Sequence, residues 1–482
     1  MATTPVKLDV QSVQDIRNLL WGSGLKDEIF ARWTQGFVFS EDEPTALVQH
    51  EGGPCAVIAP VQAYVLKVAL FNDNPHKEIS SVTEEQAKDI LCTALTEILI
   101  DVASGTYRVV SLDNSSSEQN PSNTQGASTS DAGAKQEEEG ERSPKRPRMD
   151  EDIFHSRLRC TECEDEDALR TCMKSRIPDF TDEFGVLLHL YSVILTKGIE
   201  QIKNEVEDPG ESLIDSIHGH GSQSLINLLL SGKAVTNVWD NDKEVCGLKL
   251  HGIHRQATIG FLTLLEHMRY CKVSIILPTE LHGIHRQATI GVLTLLEHMR
   301  YCEVGWYLKN PRYPLWLLGS ETHLTVMFSK EENLVVRESP HLTAKQIFQS
   351  FDPEGNGFIS TIQLADLMSA LNLVSEKEYV DIMTTKLDAE SLGIITMHCF
   401  MEEFYPGESN TDTPRSFTLY HYNGLARSCI ENKVRYQSGR ATIPEELDVQ
   451  VITDVSTMKM CLETKWPTIE VTWDSDHIPS LN

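Results

Sequence analysis

The chain has 482 residues, of which 42 are basic and 71 acidic, giving a formal net charge of −29 at pH 7. So large an acid excess argues against general binding to nucleic acid or to anionic membrane, because like charges repel. The length leaves room for a large core and more than one structural unit. Eleven cysteines, no signal-type N-terminus and no long uncharged apolar run point to a soluble protein of a reducing compartment, where thiolate chemistry survives.

Residues 1–112 contain the most informative stretch. Gly52-Gly53-Pro54 is turn chemistry, two permissive residues followed by one of fixed φ. Val57, Val61, Tyr64, Val65 and Val68 then recur at helical spacing and predict a buried helix. Cys55 stands at its start, where unsatisfied N–H groups and the helix dipole favour a thiolate. Pro60 is deep for a first turn, which predicts a late or irregular helix start. Taken alone, Cys55 also reads as a small core filler. Two other residues favour chemistry. Gln49, six residues upstream, offers a side-chain amide for an oxyanion. Far downstream, His323 stands where the polar turn Gly319-Ser320-Glu321-Thr322 leads into the alternating strand Leu324-Thr325-Val326-Met327-Phe328. A cysteine and a histidine distant in sequence but adjacent in the fold form the pattern of a thiol hydrolase.

An amphipathic helix over Glu84–Ala103 and a strand over Tyr107–Leu112 complete this first part. From 113 to 152 Ser, Asn, Gly and Glu dominate and large apolar residues vanish, which predicts a disordered insert. Pro144-Lys145-Arg146-Pro147-Arg148 within it reads equally as a nuclear import signal or as a charged patch in a flexible loop. Order resumes over 153–341. Val186–Val206 reads as one long helix with Leu187, Leu190, Tyr191, Ile194 and Leu195 on its apolar side. His218-Gly219-His220-Gly221 places two histidines at i, i+2, and Cys160-Thr161-Glu162-Cys163 two cysteines at i, i+3. Neither has the further ligands that a closed zinc site needs, so both read as structure and no metal is expected.

Leu250–Val273 recurs as Leu281–Val304, and only two of the 24 positions differ: Phe261 against Val292, and Lys272 against Glu303. Two copies are too few for a repeat architecture. The arrangement fits a duplicated exon, or a gene model that joins two alternative exons. Both copies read as amphipathic helices, His254–Tyr270 and His285–Tyr301. The copy with Glu303 leads directly toward His323 and is expected to fill the native site, leaving the first copy extruded or poorly packed.

Residues 342–405 form a further helical unit. Asp352-Pro353-Glu354-Gly355-Asn356-Gly357-Phe358-Ile359-Ser360 matches the opening of an EF-hand loop, but position 12 is Gln363 rather than a bidentate glutamate. A second loop from Asp388 puts Leu392 at position 5 and Cys399 at position 12. Both loops are degenerate, so a paired scaffold without calcium is expected. In 406–482, Phe417–Tyr422 and Ile469–Trp473 alternate as strands that return to the sheet bearing the histidine. Trp466 and Trp473 read as core.

Six blocks occur in an order that is recognisable: Arg32-Trp33-Thr34-Gln35-Gly36-Phe37, Glu51 to Pro60, Thr196-Lys197-Gly198-Ile199-Glu200, His218 to Leu225, Ser320 to Val326, and Tyr420-His421-Tyr422-Asn423-Gly424-Leu425. Together they resemble the MINDY family of cysteine deubiquitinases, in the branch with an EF-hand-like region. The resemblance implies an α+β, cysteine-protease-like catalytic domain interrupted by the two inserts. It also implies Cys55 as nucleophile, His323 as general base and Gln49 as oxyanion-stabilising residue, with no cofactor. The implied reaction is hydrolysis of isopeptide bonds in polyubiquitin, with preference for lysine 48-linked chains. The implied partners are polyubiquitin and ubiquitinated proteins, in the nucleus and/or cytoplasm. The alternative is a catalytically impaired ubiquitin-binding protein or a calcium-responsive adaptor. No residue orienting the histidine is identified.

Overall fold

Seventeen residues, Cys55–Phe71, form a helix that is apolar almost all round and correspondingly buried. It begins at Cys55 itself and carries Pro60 in its interior, so the late start expected from that proline does not occur. Burial of Val57, Val61, Tyr64 and Val65 outweighs the hydrogen bond that Pro60 cannot make. Against this helix packs Glu84–Val102, opened by a capping box in which Thr83 Oγ1 accepts from Gln86 N–H (3.3 Å) and Gln86 Oε1 accepts from Thr83 N–H (2.9 Å). The computed structural model describes residues 3–72, 75, 79–113, 151–245, 248–264, 304–335, 340–352, 357–388, 391–406, 414–444, 456–475 and 477–482. Nearly all of the 113–152 insert, its basic cluster included, lies outside them. Among the described residues, no helix is long and apolar enough to cross a membrane.

The chain divides into two compact units, residues 1–332 with 415–482, and residues 333–414. Helix and sheet are mixed in an α+β arrangement. In the first unit, a six-stranded sheet runs in the order Glu470–Trp473, Gln437–Thr442, Ser416–Tyr422, Leu324–Phe328, Leu315–Gly319, Gly260–Thr263. All neighbours are antiparallel except the last pair, which is parallel. Two adjacent interior strands, Leu315–Gly319 and Leu324–Phe328, are buried along their whole length. A smaller antiparallel sheet joins Val6–Lys7, Leu158–Cys163 and Tyr107–Leu112. The Cys160–Cys163 pair thus belongs to a strand, and among the described residues no cluster of metal-ligating side chains is found. Trp466 is buried and Trp473 half-buried.

Two expectations are corrected. The long helix over Val186–Val206 is two helices, Gly185–Lys197 and Ile199–Glu205, broken at Gly198. Gly198 has φ +92°, a conformation that other residues adopt only with strain. The break turns Lys197 into the interior, where its ammonium donates to Gly232 O (2.7 Å) and pairs with Glu205 (2.7 Å). The second correction concerns the repeat. The first copy is not extruded where described, and up to Thr263 it is not helical: Gly260–Thr263 is an edge strand, and Ile253, Ala257, Ile259, Phe261 and Leu262 are buried. Pairing beside Leu315–Gly319 satisfies this segment's backbone and covers Phe261, which local helical periodicity cannot anticipate. Apart from Val304, which is buried, the second copy lies outside the described residues.

In the second unit, the helices Pro340–Phe351, Leu364–Ala370, Lys377–Leu387 and Met397–Phe404 surround Phe348, Ile359, Leu367, Ile395 and Phe400. Two short strands, Phe358–Ser360 and Ile394–Thr396, pair antiparallel between them. Asp352 accepts from Gly357 N–H (2.6 Å), and Asp388 from Leu392 and Gly393 N–H (2.8 Å each). Both glycines have φ +79°.

Candidate active site

Cys55 is the first residue of its helix and only 5% exposed. The loop before it is fixed from two sides. Arg32 donates to His218 O (2.6 Å) and the Trp33 indole N–H to Gly219 O (3.0 Å), which holds the His218–Gly221 loop against the Cys55 turn. A Cβ on Gly221 would lie 2.3 Å from that of Ala56, so only glycine permits this approach. The His-Gly-His-Gly block is therefore structural in its glycines and holds no metal cluster among the described residues. His220 lines the same cavity as Cys55 and His323, with its buried Nδ1 unpartnered.

Burial pushes the Cys55 thiol up to about 11, while the backbone N–H groups of Leu324, Ala56 and Cys55 pull the other way. The thiolate expected from the helix N-terminus is therefore not the resting form: desolvation outweighs the dipole. The Sγ–H is aimed at Gly53 O (3.7 Å). Leu324, which directly follows His323, lines the same cavity as Cys55, so the histidine strand adjoins the thiol. The cavity is lined on one side by Cys55, His220 and Gly221 and on the other by Ser320 to Leu324. No hydrogen bond joins Cys55 to His323 in this arrangement.

His323 sits at the end of a tight turn. Ser320 N–H donates to His323 O (3.0 Å), and Ser320 Oγ accepts from His323 N–H (3.0 Å). The ring is held by a residue that sequence reasoning missed. Asn423 Oδ1 lies 3.1 Å from His323 Nε2 and also accepts from Leu425 N–H (3.0 Å), while Asn423 Nδ2 donates to Ser480 O (3.1 Å). These backbone partners fix the amide orientation, and an oxygen can only accept. His323 must therefore carry its proton on Nε2, which leaves Nδ1 as a lone pair suited to a base. Burial lowers its pKa to about 4 against the opposing pull of Asn423, with Arg427 and His220 adding to the decrease. The ring is neutral at pH 7. The signal for Asn423 was present in the block Tyr420 to Leu425, but nothing local distinguishes it from a turn asparagine.

Gln49 is joined to the same segment. Its N–H donates to Gly424 O (2.8 Å), and it bridges Leu425 in parallel. Tyr422 O–H donates to Leu47 O (2.5 Å), and Gln62, on the Cys55 helix, accepts from Leu47 N–H (2.7 Å). The segment carrying Gln49 is thereby tied to both the cysteine helix and the asparagine strand. Its side-chain amide donates to Glu51 O (2.8 Å) and does not line the cavity. The arrangement of Cys, His and Asn suits acyl transfer through a thioester, with the imidazole drawing the thiol proton.

A family model described as "Deubiquitinating enzyme MINDY-3/4, conserved domain" matches residues 17–279 and 274–346, the two stretches meeting between the repeat copies. The chain is 45% identical over 477 residues to ubiquitin carboxyl-terminal hydrolase MINDY-3 of Homo sapiens, covering 97% of this chain and 99% of that protein. It is 41% identical over 502 residues to the MINDY-3 homolog of Drosophila melanogaster, covering 98% and 84%. To the probable ubiquitin carboxyl-terminal hydrolase MINDY-4 of Bos taurus it is 30% identical over 344 residues, covering 68% and 37%. No solved structure matches. The chain belongs to the MINDY-3/4 family of deubiquitinating enzymes and is a cysteine-type ubiquitin hydrolase.

Proposed function

We propose that the chain cleaves isopeptide bonds in lysine 48-linked polyubiquitin, with Cys55 as nucleophile, His323 as general base and Gln49 as oxyanion donor. The single observation that carries this reading is that Cys55, at the start of its helix, and His323, at the mouth of its strand, line one cavity. On substrate binding the thiol turns from Gly53 O to His323 Nδ1, which takes its proton as sulfur attacks the carbonyl of ubiquitin's C-terminal glycine. The oxyanion is met by the Cys55 N–H and, once its side chain turns from Glu51 O toward the cavity on substrate binding, by the Gln49 amide. The imidazolium then protonates the departing lysine nitrogen, leaving a thioester. Water attacks that thioester, His323 accepts its proton, and the returning thiolate recovers it.

The 333–414 unit is in this reading an EF-hand-like scaffold that does not bind calcium. Supporting it, Gln363, at the position of the bidentate ligand, has its side chain committed to Ser360 N–H (3.0 Å) and Phe351 O (3.3 Å). The enzyme is proposed to work in the nucleus and/or cytoplasm. No observation favours a binding-only or calcium-responsive protein.

The test is cleavage of lysine 48-linked and lysine 63-linked tetra-ubiquitin by the full chain and by Cys55→Ala. Release of ubiquitin from the lysine 48-linked substrate alone, abolished by Cys55→Ala, is expected. Equal cleavage of both linkages would overturn the linkage assignment, and activity surviving Cys55→Ala would overturn the nucleophile.

A further inference from the structure

The two pieces that hold His323 meet on a third segment, Ser480-Leu481-Asn482. Ser480 O accepts from the Nδ2 of Asn423 (3.1 Å), the residue that fixes the histidine tautomer. Asn482 Oδ1 accepts from the hydroxyl of Ser320 (2.5 Å), the residue that shapes the turn bearing His323. Leu481 between them is 1% exposed and anchors the segment. Its own backbone is tightened by Asn482 N–H donating to Ser480 Oγ (3.1 Å) and Ser480 O–H to Asn482 O (2.7 Å).

We propose that Ser480–Asn482 is a positioning element for His323, fixing Asn423 from behind and the Ser320 turn from the side. Without Ser480 O, the Asn423 amide loses the partner of its Nδ2 and is held in this orientation by Leu425 N–H alone, so a flip becomes less costly. A flipped amide would present N–H to His323 Nε2 and shift the ring proton to Nδ1, where the base is needed. The segment thus acts through Asn423 and through the Ser320 turn, and this inference rests on the assignment of His323 as base.

The experiment compares steady-state cleavage of lysine 48-linked ubiquitin chains by the full-length enzyme and by Leu481→Asp, which would free the segment. Asn482→Ala removes only the Ser320 contact, Leu481→Met is the conservative control, and Asn423→Ala removes the proposed relay. Expected for Leu481→Asp is a fall in kcat of about tenfold or more with KM within twofold, and for Leu481→Met no change. Asn482→Ala, which leaves the core contact intact and guards against misfolding, is expected to lose about threefold in kcat at an unchanged melting temperature. In the double variant Leu481→Asp with Asn423→Ala, the loss beyond that of Asn423→Ala is expected not to exceed about the threefold of the Ser320 contact, short of the full product, because the rest acts through one amide. Full kcat in Leu481→Asp and Asn482→Ala while Asn423→Ala is impaired would overturn the positioning role alone. Multiplying losses would do the same. Activity surviving Cys55→Ala or His323→Ala would overturn the site assignment itself, and the positioning role with it.

Discussion

The two arms of the site are built by opposite means. The cysteine arm is local: a turn, a helix N-terminus and a buried helix are contiguous in sequence, and its outside supports, Arg32, Trp33 and Gly221, hold a loop already shaped. The histidine arm is assembled from segments around residues 320, 423 and 480, each contributing a hydrogen bond that means nothing without the others. The difference teaches which half tolerates change. A local arm fails mainly by losing its reactive atom or its packing. An assembled arm fails in steps, as each distant support is removed.

Substitutions should break this comparison in a graded way. Cys55→Ala and His323→Ala are each expected to lower kcat/KM by roughly 10³-fold or more, since neither acid–base nor nucleophilic chemistry survives the loss of its atom. Ubiquitin release from lysine 48-linked chains is the measurement. Asn423→Ala is expected to cost about 10–10²-fold, chiefly in kcat, because it orients the ring without reacting. If Asn423→Ala matched His323→Ala, the asparagine would be more than a support.

On the local arm, Gly221→Ala is expected to act on stability. Its Cβ would stand 2.3 Å from that of Ala56, an overlap that costs about 1–3 kcal/mol when the loop shifts to relieve it. A lowered urea midpoint with an unchanged slope would show it. The repeat supplies a related contrast. Deleting residues 250–280 brings Leu281–Val304 into the register of the first copy, and at the buried position of Phe261 it places Val292. A loss of about 1–3 kcal/mol with cleavage retained is expected, since several ring atoms leave a packed edge. Loss of all activity would show that the copies are not interchangeable.

How much of this was legible follows the same division. Cys55, its helix, the strand after His323 and the returning strands over 416–422 and 470–473 could be read because each depends on a short stretch of periodicity. Three readings failed where a distant partner decides. Gly198 breaks a continuous apolar pattern so that Lys197 can reach Glu205 and Gly232. The Gly260–Thr263 segment has helical spacing but is drawn into the sheet by Leu315–Gly319. At Cys55, the favourable helix N-terminus was visible and the desolvation was not, because burial depends on the whole fold. Asn423 is legible only as part of the block Tyr420 to Leu425, since its role is defined by His323, 100 residues away.

The pH dependence sharpens the account with a smaller effect. As the proposed base, His323 acts when neutral, and its pKa is lowered to about 4, so kcat/KM should rise with pH through about 4 and be flat by pH 6. An acid limb near 6.5 would indicate an exposed ring. Stability moves the same way. His155 and His323 are lowered to about 4 and His189 and His421 to about 3, each mainly by burial, so the unfolded chain binds more protons below 6.5. Their contribution is complete above pH 6.5 and is lost as pH falls from there toward 3–4, read as a falling urea midpoint. The smallest effect concerns the 333–414 unit: calorimetric titration with calcium is expected to give no binding heat, and a saturable heat would restore the sensor reading.

The central claim is that one of eleven cysteines is the nucleophile and that Asn423 sets its base. The most direct test reacts the full chain with ubiquitin carrying a C-terminal electrophile and maps the adduct by peptide mass. The account predicts one ubiquitin per chain, attached at Cys55, absent in Cys55→Ala and formed more slowly in Asn423→Ala. Attachment at another cysteine, or an unchanged rate in Asn423→Ala, would contradict it.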